Sequence, residues 1–109
     1  ARRSFDLAYR SELETLEKEC DNFSYIPTLS KPNHDSLPWH GYSGYVQKIW
    51  ADRVVRERWG TEITPQNSHI FLCGSPNMIN DMLEILEGEG FVRHKSWKKP
   101  GNVHIEKYW

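Results

Sequence analysis

Apolar residues recur at helical spacing in residues 6–20, DLAYRSELETLEKEC, through Leu7, Leu13 and Leu16 with Ala8, Tyr9 and Cys20 beside them. That period predicts an amphipathic helix, with Ser4 or Asp6 as its cap and Asp21–Asn22 as its stop. Residues 23–29, FSYIPTL, alternate apolar and polar in a β pattern, and Pro27 restricts such a strand to a sheet edge or ends it early. The run 30–44, SKPNHDSLPWHGYSG, has no period and reads as loop, long enough to carry function. Helical spacing returns in residues 45–59 through Val46, Ile49, Trp50, Val54 and Trp59, and Gly60 marks the end. Residues 67–74, NSHIFLCG, predict a buried strand, and residues 75–90 an amphipathic helix with Pro76 in its first turn and Gly88 near its end. Residues 90–97 and 102–109 read as further extended segments. Alternation of helix and strand predicts an α/β fold.

That sheet is incomplete. The chain runs from ARRSFDLAYR almost directly into a helix, with no strand before it and no glycine-rich turn after a first strand. A doubly wound parallel sheet needs its central strands, so residues 1–109 read as the later portion of such a domain.

Composition narrows the partners. With 14 Lys plus Arg against 15 Asp plus Glu among 109 residues, no global field favours nucleic acid or an anionic membrane. The mixed basic and aromatic stretch HKSWKKPGNVHIEKYW resembles a single-strand surface, but the near-neutral balance argues against that use. Cys20 and Cys73 match no disulfide framework or zinc spacing, and the five His show no metal-ligand spacing. No run reaches membrane-span length and no signal pattern opens the chain. The expectation is a monomeric cytoplasmic protein with free thiols. Five Trp and five Tyr against only 38% hydrophobic residues predict that some rings face ligands or partners.

Three places carry candidate chemistry. Cys73 falls at the carboxyl end of its strand, where ligands collect in open α/β sheets; Gly74 permits close approach, and the following helix start favours negative charge or a carbonyl oxygen. The alternative is a small buried residue closing a strand. Arg2, Arg3, Lys31 and Tyr45 fall near other strand ends. Cations with one aromatic face suit a phosphorylated adenosine, against the alternative of solvated surface charge. In HIEKYW, Glu106 and Tyr108 point to one face of a strand, and Tyr108 and Trp109 either dock on the protein's own core or cover a planar ligand.

FLCGSPNMI with the ending HIEKYW resembles the C-terminal half of ferredoxin/flavodoxin NADP reductases, especially the bacterial type ending in Tyr-Trp. ARRSFDLAYRSEL is similar to the segment after the second strand of their NADP-binding domain, and FSYIPTLSK to the next strand. The resemblance implies a Rossmann-like NADP-binding domain of which 1–109 is the C-terminal portion, the FAD-binding domain and pyrophosphate turn lying outside this chain. It implies FAD and NADP as cofactors and electron transfer between NADPH and ferredoxin or flavodoxin, with this portion inactive alone. Cys73 would stand beside the nicotinamide, Glu106 near it, and Tyr108 over the flavin, with Trp109 covering part of FAD. Arg2 and Lys31 would meet the 2′-phosphate, Lys31 replacing the family's usual arginine and losing its fork, and Tyr45 would stack on adenine or reach the ribose phosphate. The rival from another class is a non-catalytic nucleotide-binding or interaction module.

Overall fold

The computed structural model describes residues 1–34 and 37–107. It divides into two compact units, Ala1–Gly60 and a second beginning at Thr61.

In the first unit the predicted helix 6–20 starts later than its pattern. Ser4–Asp6 forms a 3-10 turn and Tyr9 adopts a left-handed φ of 55°, so α1 spans Arg10–Glu19. A left-handed residue cannot continue a right-handed helix, which separates Leu7 from the stripe its spacing suggested. Arg10 Nε meets Glu14 Oε1 at 2.9 Å one turn on, and Glu17 Oε2 accepts from the Tyr25 backbone N–H at 2.7 Å and from Arg58 at 3.1 Å. No α1 residue is fully buried.

The β pattern of 23–29 shrinks to β1, Thr28–Leu29, immediately after Pro27, which has no N–H to give a ladder. Its partner, β2, Tyr42–Ser43, comes from the segment expected to be all loop. The two run parallel, Thr28 opposite Tyr42 and Leu29 opposite Ser43. Gly44 N–H donates to Leu29 O, and Thr28 Oγ1 to Gly44 O, each at 2.8 Å. Leu29 is fully buried. The helix expected over 45–59 breaks into α2, Val46–Ala51, and α3, Val54–Trp59, because Arg53 is left-handed at φ 62°. Neither Gly nor Pro announces that break. Gly60 ends α3 at φ 69°, as its position predicted.

The second unit follows its pattern more closely. β3 covers Ile70–Gly74 and pairs in parallel with β4, Val103–Lys107, from Ile70 opposite Val103 to Gly74 opposite Lys107. Between them α4, Pro76–Gly88, starts at Ser75, whose hydroxyl accepts from Met78 N–H at 3.3 Å. That is the local reason the helix begins there, with Pro at the position where a missing N–H costs nothing. α4 buries Ile79, Met82 and Leu86 at three- and four-residue spacing, and Leu72, Phe91 and Val103 complete this core. Burial of each large side chain is worth roughly 1.5–3 kcal/mol.

The segment 90–97 is not a strand. Single bridges form at Arg93–Val103 and Ser96–Lys99, and Asn102 anchors the return: its Oδ1 accepts from Val92 N–H and its Nδ2 donates to Pro65 O, both at 2.8 Å. The observed architecture is thus α/β with parallel strand pairs. Among the described residues no helix is long and apolar enough to cross a membrane.

Candidate functional site

Backbone pairing assembles the basic site in the first unit. Ser30 N–H donates to Ala1 O at 2.8 Å and Lys31 N–H to Arg2 O at 3.0 Å, so the residues after β1 lie along the opening segment. Arg2 and Lys31, 29 positions apart in sequence, therefore reach one cavity of about 360 Å³, lined by Arg2, Arg3, Lys31 and His34. Arg2 and Lys31 are exposed. Arg3 is partly engaged, its guanidinium 4.4 Å from the Phe5 ring centroid and its Nε 4.0 Å from Asp6 Oδ2. Tyr45, at the start of α2, is 67% exposed and is not among these lining residues. No pattern in the sequence singles out His34. Its signal is positional: Pro32–His34 forms a 3-10 turn whose His34 N–H is bonded to Lys31 O at 3.0 Å.

In the second unit the parallel register sets Cys73 directly opposite Glu106 at the carboxyl ends of β3 and β4. Cys73 is exposed, which decides against the buried strand-closing alternative. Phe71, Leu72, Cys73, His104, Ile105 and Glu106 line a cavity of about 220 Å³. Gly74 has φ 149°, which residues bearing a side chain rarely adopt, and a Cβ there would approach Met78 Cε to 2.9 Å. The strand end is thereby kept open beside the capped start of α4. Tyr108 and Trp109 lie outside the described residues.

Beside this cavity three imidazoles meet. His69 Nδ1 and His104 Nε2 are 3.1 Å apart, the His94 and His104 ring centroids are 4.9 Å apart, and Phe71 stacks on His104 at 4.6 Å. His94 Nδ1 accepts from Gly101 N–H at 3.2 Å. Desolvation first, then the neighbouring His94 and His69, hold His104 below the ordinary imidazole value of 6.5. The unfolded chain then binds this proton more readily than the folded one, so stability falls as pH drops below about 6.5. Urea midpoints at pH 7.5 and pH 5.0 measure this: the native protein should lose stability on acidification, and His104→Phe should flatten the dependence. An unchanged slope in the variant rules the cluster out as its source. Among the described residues no group of three or more His, Cys, Asp or Glu is arranged to hold a metal ion.

In the second unit, a parallel strand pair with a capped helix between its strands and an open glycine at the strand end is the build of a nucleotide-binding α/β element, and the first unit carries the cationic cavity. Residues 1–84 match the oxidoreductase NAD-binding domain family, and the chain belongs to that family. It is 35% identical over 108 residues to ferredoxin–NADP reductase B of Sorangium cellulosum, covering 99% of this chain and 40% of that relative's length. It is 33% identical over 109 residues to the phenol hydroxylase P5 protein of Acinetobacter pittii, covering 99% of this chain and 26% of that protein. The crystal structure of a ferredoxin NADP+ reductase from Neisseria gonorrhoeae with bound FAD and NADP matches with a TM-score of 0.81 at 19% identity, over 100% of this chain and 42% of that one. That likeness shows a shared fold, the Rossmann-like one expected from the sequence.

Proposed function

We propose that this chain supplies the NADP-binding part of a flavin-dependent reductase that passes electrons between NADPH and soluble ferredoxin or flavodoxin in the cytoplasm. The observation that carries the proposal is the register placing Cys73 beside Glu106 at an open strand end. The similarity to a ferredoxin–NADP reductase over nearly the whole chain supports the same reading.

The residues fit the nucleotide. The cradle at Gly74, which a Cβ would crowd, admits a planar ring close to the backbone. Cys73 offers that ring a small polarizable surface, and the Glu106 carboxylate fixes its orientation. Arg2 and Lys31 pair with the 2′-phosphate that separates NADPH from NADH, while Tyr45 offers an exposed face to the adenosine. In this reading Tyr108 guards the flavin side of the nicotinamide space and Trp109 covers the flavin. FAD, when bound, takes two electrons together as hydride and releases them one at a time.

The test is NADPH-dependent reduction of ferredoxin and flavodoxin by the protein purified from its natural source, with NADH as comparator. Reduction of either carrier with a clear NADPH preference is expected. The relative from phenol hydroxylase makes a different acceptor the second reading, indicated by flavin reduction without carrier reduction. A colourless protein that oxidises neither nucleotide overturns the catalytic reading and leaves a non-catalytic module.

Lys31→Ala provides a residue-level check. Loss of one charge-assisted phosphate contact at an exposed site should raise KM for NADPH about fivefold to tenfold. NADH kinetics should stay unchanged, and parallel weakening of both nucleotides would remove Lys31 from the 2′-phosphate.

A further inference from the structure

We propose that His34 is a further specificity-determining residue, donating a hydrogen bond to the 2′-phosphate of the nucleotide beside Arg2, Arg3 and Lys31. The inference rests on the NADPH reading above and deepens it. A phosphate monoester presents three terminal oxygens, each able to accept more than one hydrogen bond. Arg2 approaches with a planar fork, and Lys31 as a mobile point charge with three donors. Arg3 is partly held by Phe5 and Asp6, so it has fewer donors to direct at a ligand.

His34 adds what these lack: a directional ring N–H, available in either charge state of the imidazole. Its position is set by backbone rather than by a long flexible side chain. The Lys31 N–H is bonded to Arg2 O, and the His34 N–H closes a 3-10 turn on Lys31 O, both at 3.0 Å. Two consecutive backbone bonds thus tie His34 to Lys31 and Lys31 to Arg2. His34 is exposed and lines the same cavity of about 360 Å³ as Arg2 and Lys31. Because Lys31 makes no forked contact, a second fixed donor nearby restores directionality to phosphate recognition.

The probes are adenosine 2′,5′-bisphosphate and adenosine 5′-monophosphate, which differ by the 2′-phosphate alone, titrated calorimetrically into the purified protein. His34→Ala should weaken the bisphosphate about threefold to tenfold, in keeping with one lost hydrogen bond to a charged group at an exposed site. The monophosphate should bind as before. His34→Gln, which keeps an N–H donor, should recover most of the loss. If Lys31→Ala loses discrimination while His34→Ala does not, the inference is overturned and the phosphate site stands. Equal weakening of both ligands by His34→Ala also overturns it. If neither Lys31→Ala nor Arg2→Ala alters discrimination, the phosphate site itself is wrong, and His34 falls with it.

Discussion

Cys73→Ala should slow hydride transfer from NADPH by about tenfold to a hundredfold while changing NADPH affinity by no more than about twofold. The side chain sits at the last side-chain-bearing position of β3, exposed and paired in register with Glu106. In the proposed complex its sulfur touches only the nicotinamide end of a ligand whose phosphates are held elsewhere, so little of the binding energy passes through it. Hydride transfer instead depends steeply on placement, and an ångström of displacement can cost about a hundredfold in rate. Alanine removes the surface against which the ring rests without disturbing the backbone. Stopped-flow absorbance of flavin reduction reports the rate, and NADP+ titration reports the affinity. Equal losses in both would make Cys73 an ordinary contact residue.

Gly101→Ala carries the largest expected stability effect. A Cβ at this position would overlap Val92 O and lie 2.5 Å from Arg93 C and 2.6 Å from His94 N. All three are backbone atoms of the segment that β4 returns along, so no side chain can rotate away. Relief requires moving that segment, which the Asn102 bonds to Val92 and Pro65 oppose, and which also breaks the Gly101 N–H bond to His94 Nδ1. Overpacking of this kind costs about 1–3 kcal/mol, and the rigid backbone places the expected loss at about 3 kcal/mol or above. Gly88→Ala is the control. Nothing lies within 4 Å of its Cβ position, and in a helix alanine is favoured over glycine by about 1 kcal/mol. Urea denaturation of the two variants should therefore move the midpoint in opposite directions. A small loss at Gly101, comparable to a surface substitution, would mean that the β3–β4 connection is looser than its contacts indicate.

Much of the second unit was legible in its residues. Ser75–Pro76 announces the start of α4 by supplying an acceptor for Met78 N–H and needing no donor of its own. The spacing of Ile79, Met82 and Leu86 names the buried face. The first unit was less legible. Its α1 loses a turn because Tyr9 takes a left-handed conformation, and the helix of 45–59 breaks at Arg53 for the same reason, although neither residue type prefers that region. β2 lies in a stretch whose sequence reads as loop, because two residues pairing with Thr28–Leu29 carry no period of their own.

The sequence by itself determined what short-range physics controls: the β3–α4 succession, its cap, the Gly60 stop, and the placing of Cys73 at a strand end, which follows from where an apolar run meets glycine. Tertiary structure alone decided which distant residues meet. Glu106 faces Cys73 because β4 pairs with β3 in one register out of several, and a slip by one residue would send its side chain to the other face. Arg2 reaches Lys31, and His34 joins them, because two backbone hydrogen bonds bring the segments together. Gly101 becomes indispensable through the backbone that returns beside it. Caps and periodicity act within one helical turn or one strand, whereas register and segment pairing are chosen by the free energy of the assembled fold.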